Sequence, residues 1–383
     1  MRVLATSCAA HGHFYPLVPV LRALEDAGHQ VLVAVPSDFV DVVRAEGLTA
    51  HGIAAQSRTA EDRQAMRRTF EALPPRERIP AIVGNFVRIA EEGLPELDEL
   101  CGTFLPDVLL RESMAFAGWV VGARRELAVV VLDVFPVPPE MWPASVGDLL
   151  HALRRRAGVA PDPALATLAG DLTIACGPPS WFSYVPPCGT LVRPSDAIGA
   201  ERSAPPWLDA LAAPIVYATL GTTFNLEPGL WATVLDGLER TGLSVVATVG
   251  KEMDPASLGT RPARMRIERF LPQRLVLDRC AAAVTHGGYG SLMGCFARGV
   301  PVVSVPIAAG DNVPNAARVA HLGAGLAVLP KERSPERIAA AVERVIHDPV
   351  FRQSARALAT EIARLPPVEH AVELLEAIVS ARS

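Results

Sequence analysis

The stretch Cys280-Ala-Ala-Ala-Val-Thr-His286-Gly287-Gly288-Tyr289-Gly290-Ser291-Leu292-Met293-Gly294 decides the fold. The uncharged run from Cys280 to Thr285 reads as a buried strand, and three glycines and a serine follow it. Leu292, Met293, Phe296 and Ala297 then recur at helical spacing. A strand, a tight glycine-rich turn and a helix start are thus written in fifteen consecutive positions. A helix N-terminus carries unpaired N–H groups and a partial positive charge, and glycines let a backbone approach a ligand closely, so the turn is suited to a phosphate. His286 and Ser291 add side-chain donors. An ordinary strand-to-helix turn has the same general composition, so the neighbouring segments must decide between the two.

Working outward, the same pattern repeats. Ile215 to Leu220 reads as a strand ending in Gly221-Thr222-Thr223, followed by a helix from about Pro228 to Arg240 and a strand from Ser244 to Val249. Met265 to Phe270 is another strand, leading through Leu271-Pro272-Gln273 to the glycine turn. Pro301 to Val305 is the strand after it, with Gly310-Asp311-Asn312 at its carboxyl end. Ile338, Val342, Val345 and Ile346 stripe one later helix, and Val368, Val372, Leu375 and Val379 another. Alternating strands and helices imply a parallel sheet. Gly221-Thr222, His286 to Ser291 and Gly310 to Asn312 then fall together at one sheet edge, as a site for a nucleoside diphosphate carrying a polar group. Asp311 can accept hydrogen bonds from sugar hydroxyls or cap the helix through Ala316 to Ala320.

The N-terminal half begins with a strand, Val3 to Ser7, then the loop Cys8-Ala-Ala-His11-Gly12-His13-Phe14-Tyr15 and a helix opened by Pro16. Leu17, Val20, Leu21 and Leu24 give that helix an apolar stripe, and Gly28 stops it. Gln30 to Val35 is the next strand. Residues 37 to 104 read as mostly helical, with the Pro-interrupted stretch Ala72 to Pro80 between two helices. Asp107 to Leu110 is a strand with Arg111-Glu112-Ser113 at its carboxyl end, before a helix from Met114 to Arg124. Ala128 to Leu132 is a further strand, and Asp133 to Trp142 a Pro-rich loop suited to lining a cleft. A Pro- and Ser-rich segment from Pro186 to Pro206 marks the boundary.

With 383 residues, the chain suits two domains. Half its residues are hydrophobic and a fifth charged, which excludes a disordered protein. The net charge is −5 with no basic block, so nucleic acid is not expected as a partner. Six scattered cysteines without a C-x-x-C pair signal neither a disulfide framework nor a zinc site. No signal sequence or transmembrane segment is read, and a cytoplasmic location is expected. The usual dinucleotide fingerprint is missing after the first strand, as are H-E-x-x-H, G-x-S-x-G and a Walker loop.

The first half supplies a candidate base. A histidine titrates near neutrality and can take a proton from a hydroxyl when a carboxylate fixes its tautomer and stabilises the imidazolium. His11 and His13 both stand at the mouth of a strand, and Glu112 at the end of another can be the carboxylate. The residue chemistry leaves the two histidines level.

Phe270-Leu-Pro-Gln273, Thr285-His-Gly-Gly-Tyr-Gly-Ser291, Gly310-Asp-Asn312 with Asn315-Ala316, and the opening Ala10-His-Gly-His13 with Pro16 and Ala27-Gly-His29 resemble, over nearly the whole chain, a family 1 glycosyltransferase. Within that family the resemblance is to the bacterial enzymes that decorate natural products with deoxysugars. It implies the α/β GT-B fold: two Rossmann-like parallel-sheet domains facing a central cleft. The expected divisions are 1–195 for the acceptor domain, 196–210 for a linker, 211–365 for the nucleotide-sugar domain, and 366–383 for a helix packing back on the first domain. The resemblance further implies inverting, metal-independent transfer from a nucleoside diphosphate sugar, with dTDP expected, to a hydroxyl of a hydrophobic acceptor, without a cofactor.

Carried onto this chain, His13 resembles the general base, and Glu112 takes the place of its acidic partner, where many relatives have aspartate. His286, Gly288, Gly290 and Ser291 resemble the pyrophosphate contacts, with Thr222 across from them, and Phe270 and Leu271 stand by the base. Asp311 and Asn312 replace the usual Asp-Gln pair at the donor sugar. Phe86, Met141 and Trp142 are candidate acceptor contacts, alongside Phe116 and Trp119, and core packing is the expected place for at least half of these side chains. The expected partners are an acceptor and a nucleotide sugar, the expected assembly a monomer or homodimer. Two other readings stay open, a catalytically silent nucleotide-binding homologue or auxiliary protein, and a nucleotide-sugar epimerase.

Overall fold

A computed structural model describes residues 1–53, 65–66, 68–70, 72–134, 137–195, 203–221, 228–250, 253–307 and 311–382. Thr222 and Gly310 lie outside the described residues. The chain divides into two units. The first comprises Met1–Gly177, Phe182–Ser195 and Leu365–Ser383, and the second Pro178–Trp181 and Asp196–Arg364.

The first unit is built on seven strands: β1 Arg2–Thr6, β2 Gln30–Pro36, β3 Ala50–Ile53, β4 Val108–Glu112, β5 Ala128–Leu132, β6 Leu172–Cys176 and β7 Gly189–Val192. Their order is β3-β2-β1-β4-β5-β6-β7, and every pairing is parallel. Helices cover both faces of such a sheet, so its central strands read as continuous apolar runs, and β5, Ala-Val-Val-Val-Leu, is buried throughout. The helix Val18–Asp26 presents Val20, Leu21 and Leu24 to one face, and Gly28, at φ 84°, lets the chain leave it. On the other face, the helix Pro75–Phe104 buries Val83, Val87, Leu94 and Leu97 in a cluster with Phe116 and Trp119.

The second unit repeats the plan with six strands, β8 Ile215–Thr219, β9 Ser244–Thr248, β10 Met265–Glu268, β11 Cys280–Thr285, β12 Val302–Ser304 and β13 Gly325–Ala327. Their order is β10-β9-β8-β11-β12-β13, again parallel throughout. Both sheets start in the middle, run outward, and return to the other side of the first strand. The chain order therefore reverses between β1 and β4 in the first unit and between β8 and β11 in the second. A parallel sheet opens at such a switch point, because the connections on its two sides go to opposite faces, and ligands bind beyond the strand carboxyl ends there.

Several boundaries differ from the sequence reading. The break between two helices expected over Ala72 to Pro80 is narrower: residues 65–66, 68–70 and 72 are helical, Leu73 and Pro74 interrupt, and the next helix runs from Pro75 through Pro80 and Pro95 to Phe104. Proline is well placed in a first turn, whose N–H groups have no intrahelical partner, and burial of one long apolar face offsets the bonds lost further in. β4 extends through Glu112, pairing Arg111 with Thr6 and Glu112 with Leu132. β3, β6, β7, β13 and the helix Ala144–Arg156 are elements that periodicity did not reveal; the four strands are only three to five residues long.

Of the segment expected as a linker, 196–210, residues 196–202 lie outside the described residues. Pro206–Leu208 forms a helical turn of the second unit with Leu208 1% exposed. Earlier in the chain, Pro178–Trp181 also belongs to the second unit, where buried Trp181 stacks edge-on to Tyr289 and close to Phe296. The helix His370–Arg382 belongs to the first unit and buries Ala371, Val372 and Leu375 in its core. Arg382 binds Asp171 at 2.5 Å, and Arg193 donates to the Leu365 carbonyl at 3.1 Å.

Candidate functional site

In the first unit, the switch point brings β1 and β4 side by side, so the loop after Thr6 and the carboxyl end of β4 are neighbours although a hundred positions separate them in sequence. One helical turn, His11–Phe14, follows β1 and carries both candidate histidines. Phe14 is fully buried and anchors the turn in the core, which sets where the two rings point.

His13 Nδ1 lies 2.7 Å from Glu112 Oε1. His11 instead packs against Tyr15, with ring centroids 5.4 Å apart, and against Phe39 at 5.3 Å. The residue chemistry left the two histidines level and the resemblance chose His13; it is His13 that meets Glu112.

The Glu112 side chain is 1% exposed, whereas that of His13 is 30% exposed. A buried carboxylate needs partners, and Glu112 has them: Oε1 accepts from Ser113 Oγ at 3.0 Å and from the Met114 N–H at 2.9 Å, and Oε2 from Cys8 Sγ at 3.4 Å. Burial by itself raises the Glu112 carboxyl, but the His13 charge and hydrogen bond, the Met114 amide and the Ser113 hydroxyl outweigh it and hold the group below the usual carboxylate range. Glu112 is thus an ionised, fixed acceptor. Its longer chain, compared with aspartate, reaches His13 without loss of contact.

Arg111, also fully buried, donates to the Ser113 carbonyl at 2.7 Å and to the Leu168 carbonyl, and so fixes the loop that follows Glu112. Burial pushes its guanidinium down to about 10, against the opposing charges of Glu112 and Asp133. A charged pair ending a buried parallel strand breaks the apolar rule for such strands, and that break was the available signal for Arg111.

Phe86, on the helix Pro75–Phe104, stands over this pair with its ring centroid 5.5 Å from that of His13. Trp142 packs half-buried against the same core cluster as Phe86, and Met141 is 70% exposed. Phe116 and Trp119 are core residues, as expected for part of the aromatic set.

In the second unit, β8 and β11 flank the switch point, and Gly221 meets His286 there. A Cβ on Gly221 would sit 2.6 Å from the His286 ring, and one on Gly288 2.3 Å from its Nε2. The imidazole is held between two glycines because no other residue leaves it room. Gly287, at φ 86°, turns the chain so that Gly288 can cap the helix Tyr289–Phe296. Burial pushes His286 down to about 4, with a hydrogen bond to the Thr219 backbone opposing that shift, so the ring is neutral near pH 7. Among the described residues its buried Nδ1 has no hydrogen-bond partner, and neither do Ser304 Oγ and Asn315 Oδ1 nearby.

Asn315, fully buried, was missed as a site residue. Its Nδ2 donates to the Gly287 carbonyl at 2.9 Å and to Asp311 Oδ2 at 2.7 Å, and so ties the glycine turn to the loop after β12. Asp311 makes no side-chain cap; Asn312 is buried and donates to Asp311 Oδ1 at 3.3 Å. Gln273 Nε2 donates to the Gly290 carbonyl at 3.2 Å, which brings the half-buried Phe270-Leu271 segment beside the turn. Ser291 is partly exposed in the first turn of the helix, and Gly290 is open to solvent. The two signals for Asn315 and Gln273 were their places within the quoted motifs, where neither carried an obvious chemical role.

Comparison with known proteins agrees with this arrangement. Residues 232–378 match the family described as erythromycin biosynthesis protein CIII-like, C-terminal domain. The chain is 32% identical to L-demethylnoviosyl transferase of Streptomyces niveus, with 96% of this chain and 95% of that protein covered. It is 30% identical to 4'-demethylrebeccamycin synthase of Lentzea aerocolonigenes, covering 99% of each. Among solved structures it is similar to the glycosyltransferase VinC in complex with dTDP, with a TM-score of 0.81, 26% identity and 100% of both chains covered. Spinosyn rhamnosyltransferase SpnG gives the same TM-score, 0.81, at 26% identity, covering 98% of this chain and 100% of that one.

Proposed function

The chain belongs to the GT-B glycosyltransferases of antibiotic biosynthesis, and on that premise we propose that it moves a deoxysugar from a thymidine diphosphate donor to a hydroxyl of a hydrophobic natural product, with inversion and without need of a metal. The observation that carries this reading is the 2.7 Å contact between His13 and a buried, ionised Glu112. A silent homologue has no use for a buried carboxylate spent on orienting one partly exposed imidazole, and an epimerase has no acceptor to deprotonate.

The chemistry follows from the tautomer. Glu112 accepts the proton-bearing Nδ1 of His13, so Nε2 is the nitrogen that takes the proton of the acceptor hydroxyl. The acceptor oxygen bonds to the anomeric carbon, and the bond from that carbon to the diphosphate oxygen breaks on the opposite face. Glu112 stabilises the imidazolium formed. The diphosphate leaves with the electron pair, met by the N–H groups opening the helix Tyr289–Phe296, by Ser291 and by His286. Phe270 and Leu271 would lie against the base, and Asp311 would receive sugar hydroxyls. Phe86, with Trp142 and Met141, would offer the acceptor an apolar surface.

Two experiments test this. A ligand that binds only the folded protein raises its melting temperature, so a shift with thymidine diphosphate larger than with uridine, guanosine or adenosine diphosphate is expected; equal shifts would redirect the donor assignment. His13→Ala should lower kcat by roughly 10²–10⁴-fold with the thymidine diphosphate shift unchanged. Full activity in that variant would overturn the base assignment.

A further inference from the structure

We propose that Cys8, His13 and Glu112 form a site for one zinc-type divalent cation, and that its occupation switches transfer off. The inhibition rests on the reading of His13 as the base; the site itself does not.

Three ligand atoms of three chemical kinds converge here. Cys8 Sγ is 3.4 Å from Glu112 Oε2, His13 Nδ1 is 2.7 Å from Glu112 Oε1, and one ligand atom from each residue lies within 4.8 Å of the others. A tetrahedral zinc ion with bonds of about 2.0–2.3 Å separates its ligand atoms by about 3.3–3.7 Å, so shifts of under about 1 Å complete the set. The residues come from the loop after β1, from the turn that follows it and from the end of β4, all held by the core beneath. Cys8 and Glu112 are buried, and His13 is 30% exposed, which leaves one side for entry and for a fourth, solvent ligand.

The donor types select the ion. Thiolate, imidazole and carboxylate together suit zinc and its borderline neighbours, whereas magnesium and calcium take oxygen ligands. Charge also balances, because the dication meets one thiolate and one carboxylate in a buried place. Cys8 loses its thiol proton to solvent. The cation takes the Nδ1 position of His13, and the single proton of the neutral ring then sits on Nε2. One proton is released per cation bound, and Nε2 can no longer accept the proton of the acceptor hydroxyl.

Cobalt reports such a site directly, through thiolate charge-transfer and tetrahedral d–d absorption. Titrating the intact protein with Co²⁺ should give one equivalent of these bands, displaced by Zn²⁺, lost in Cys8→Ser and kept when the half-buried free thiol of Cys188 is removed in Cys188→Ala. Zinc should lower the native rate by roughly 10²-fold, the loss of a general base, with recovery on chelation. In Cys8→Ser, measured against its own metal-free rate, the effect should fall below about twofold. X-ray absorption of the zinc-loaded native protein, which needs no variant, should show one sulfur ligand with nitrogen and oxygen ligands. Absent bands, bands that survive Cys8→Ser, or a zinc shell without sulfur would overturn the site. Metal bound with turnover unchanged would uphold the site and overturn both the switch and the assignment of His13 as the base.

Discussion

Glu112 is buried and His286 half-buried, and the surroundings of these two ionisable groups drive them to opposite charge states. Glu112 has three donors on its carboxylate and a histidine beside it, so the charged form is favoured. His286 has two glycines against its faces and an Nδ1 without a partner among the described residues, so the neutral form is favoured. The consequence for stability has a definite sign. In the unfolded chain a histidine titrates at about 6.5, and in the fold His286 titrates at about 4. Above pH 6.5 both states are neutral and nothing is lost. As the pH falls from about 6.5 to about 4, the unfolded state takes up a proton that the folded state refuses, and folding weakens by about 2–4 kcal/mol. Denaturant unfolding between pH 7 and 4 should therefore show a steeper fall for the native protein than for His286→Asn, and parallel slopes would refute this account.

At the level of elements, the strand-turn-helix around His286 works because of what its glycines omit. Gly288→Ala puts a methyl group 2.3 Å from the imidazole, and Gly221→Ala adds a positive-φ penalty to a contact at 2.6 Å. The ring must move in either variant. Since Gly288 also caps the helix whose N–H groups would meet the diphosphate, Gly288→Ala should abolish the thermal shift with thymidine diphosphate while lowering the unliganded melting temperature only slightly. Gly147→Ala, in the helix Ala144–Arg156 and with nothing within 4 Å, is the control and should keep the shift. A retained shift in Gly288→Ala would mean that His286 and its glycines do not shape the donor site. Both motifs were legible in sequence because they are local: strand, glycines and helix start lie in one stretch. Asn315 was not, because its role as a bridge needs Gly287 and Asp311 in three dimensions.

Over the whole molecule, the last helix shows that sequence order is a poor guide to unit membership. His370–Arg382 comes after the entire second sheet, yet Ala371, Val372 and Leu375 complete the core of the first. Leu375→Ala should cost about 2–5 kcal/mol, the range for emptying a buried leucine site. That corresponds to a fall in melting temperature of roughly 5–15 °C for a unit of this size, measured by calorimetry. An unchanged melting temperature would mean that the helix is not part of the cooperative core. The binding of thymidine diphosphate at 25 °C should survive, because the glycine turn belongs to the other unit.

No helix among the described residues is long and apolar enough to cross a membrane. What the sequence by itself determined is the repeated strand and helix pattern, the glycine turn and the pairing of a histidine loop with an acidic strand end, since each is a local pattern of polarity or backbone freedom. Only the tertiary structure decided that Glu112 is buried with its carboxylate on His13 Nδ1, that Cys8 joins them, and that Gly221 closes on His286. The physical reason is the switch point: strands β1 and β4, and β8 and β11, become neighbours through the order in which the sheet assembles, and that order is a property of packing across the whole sheet.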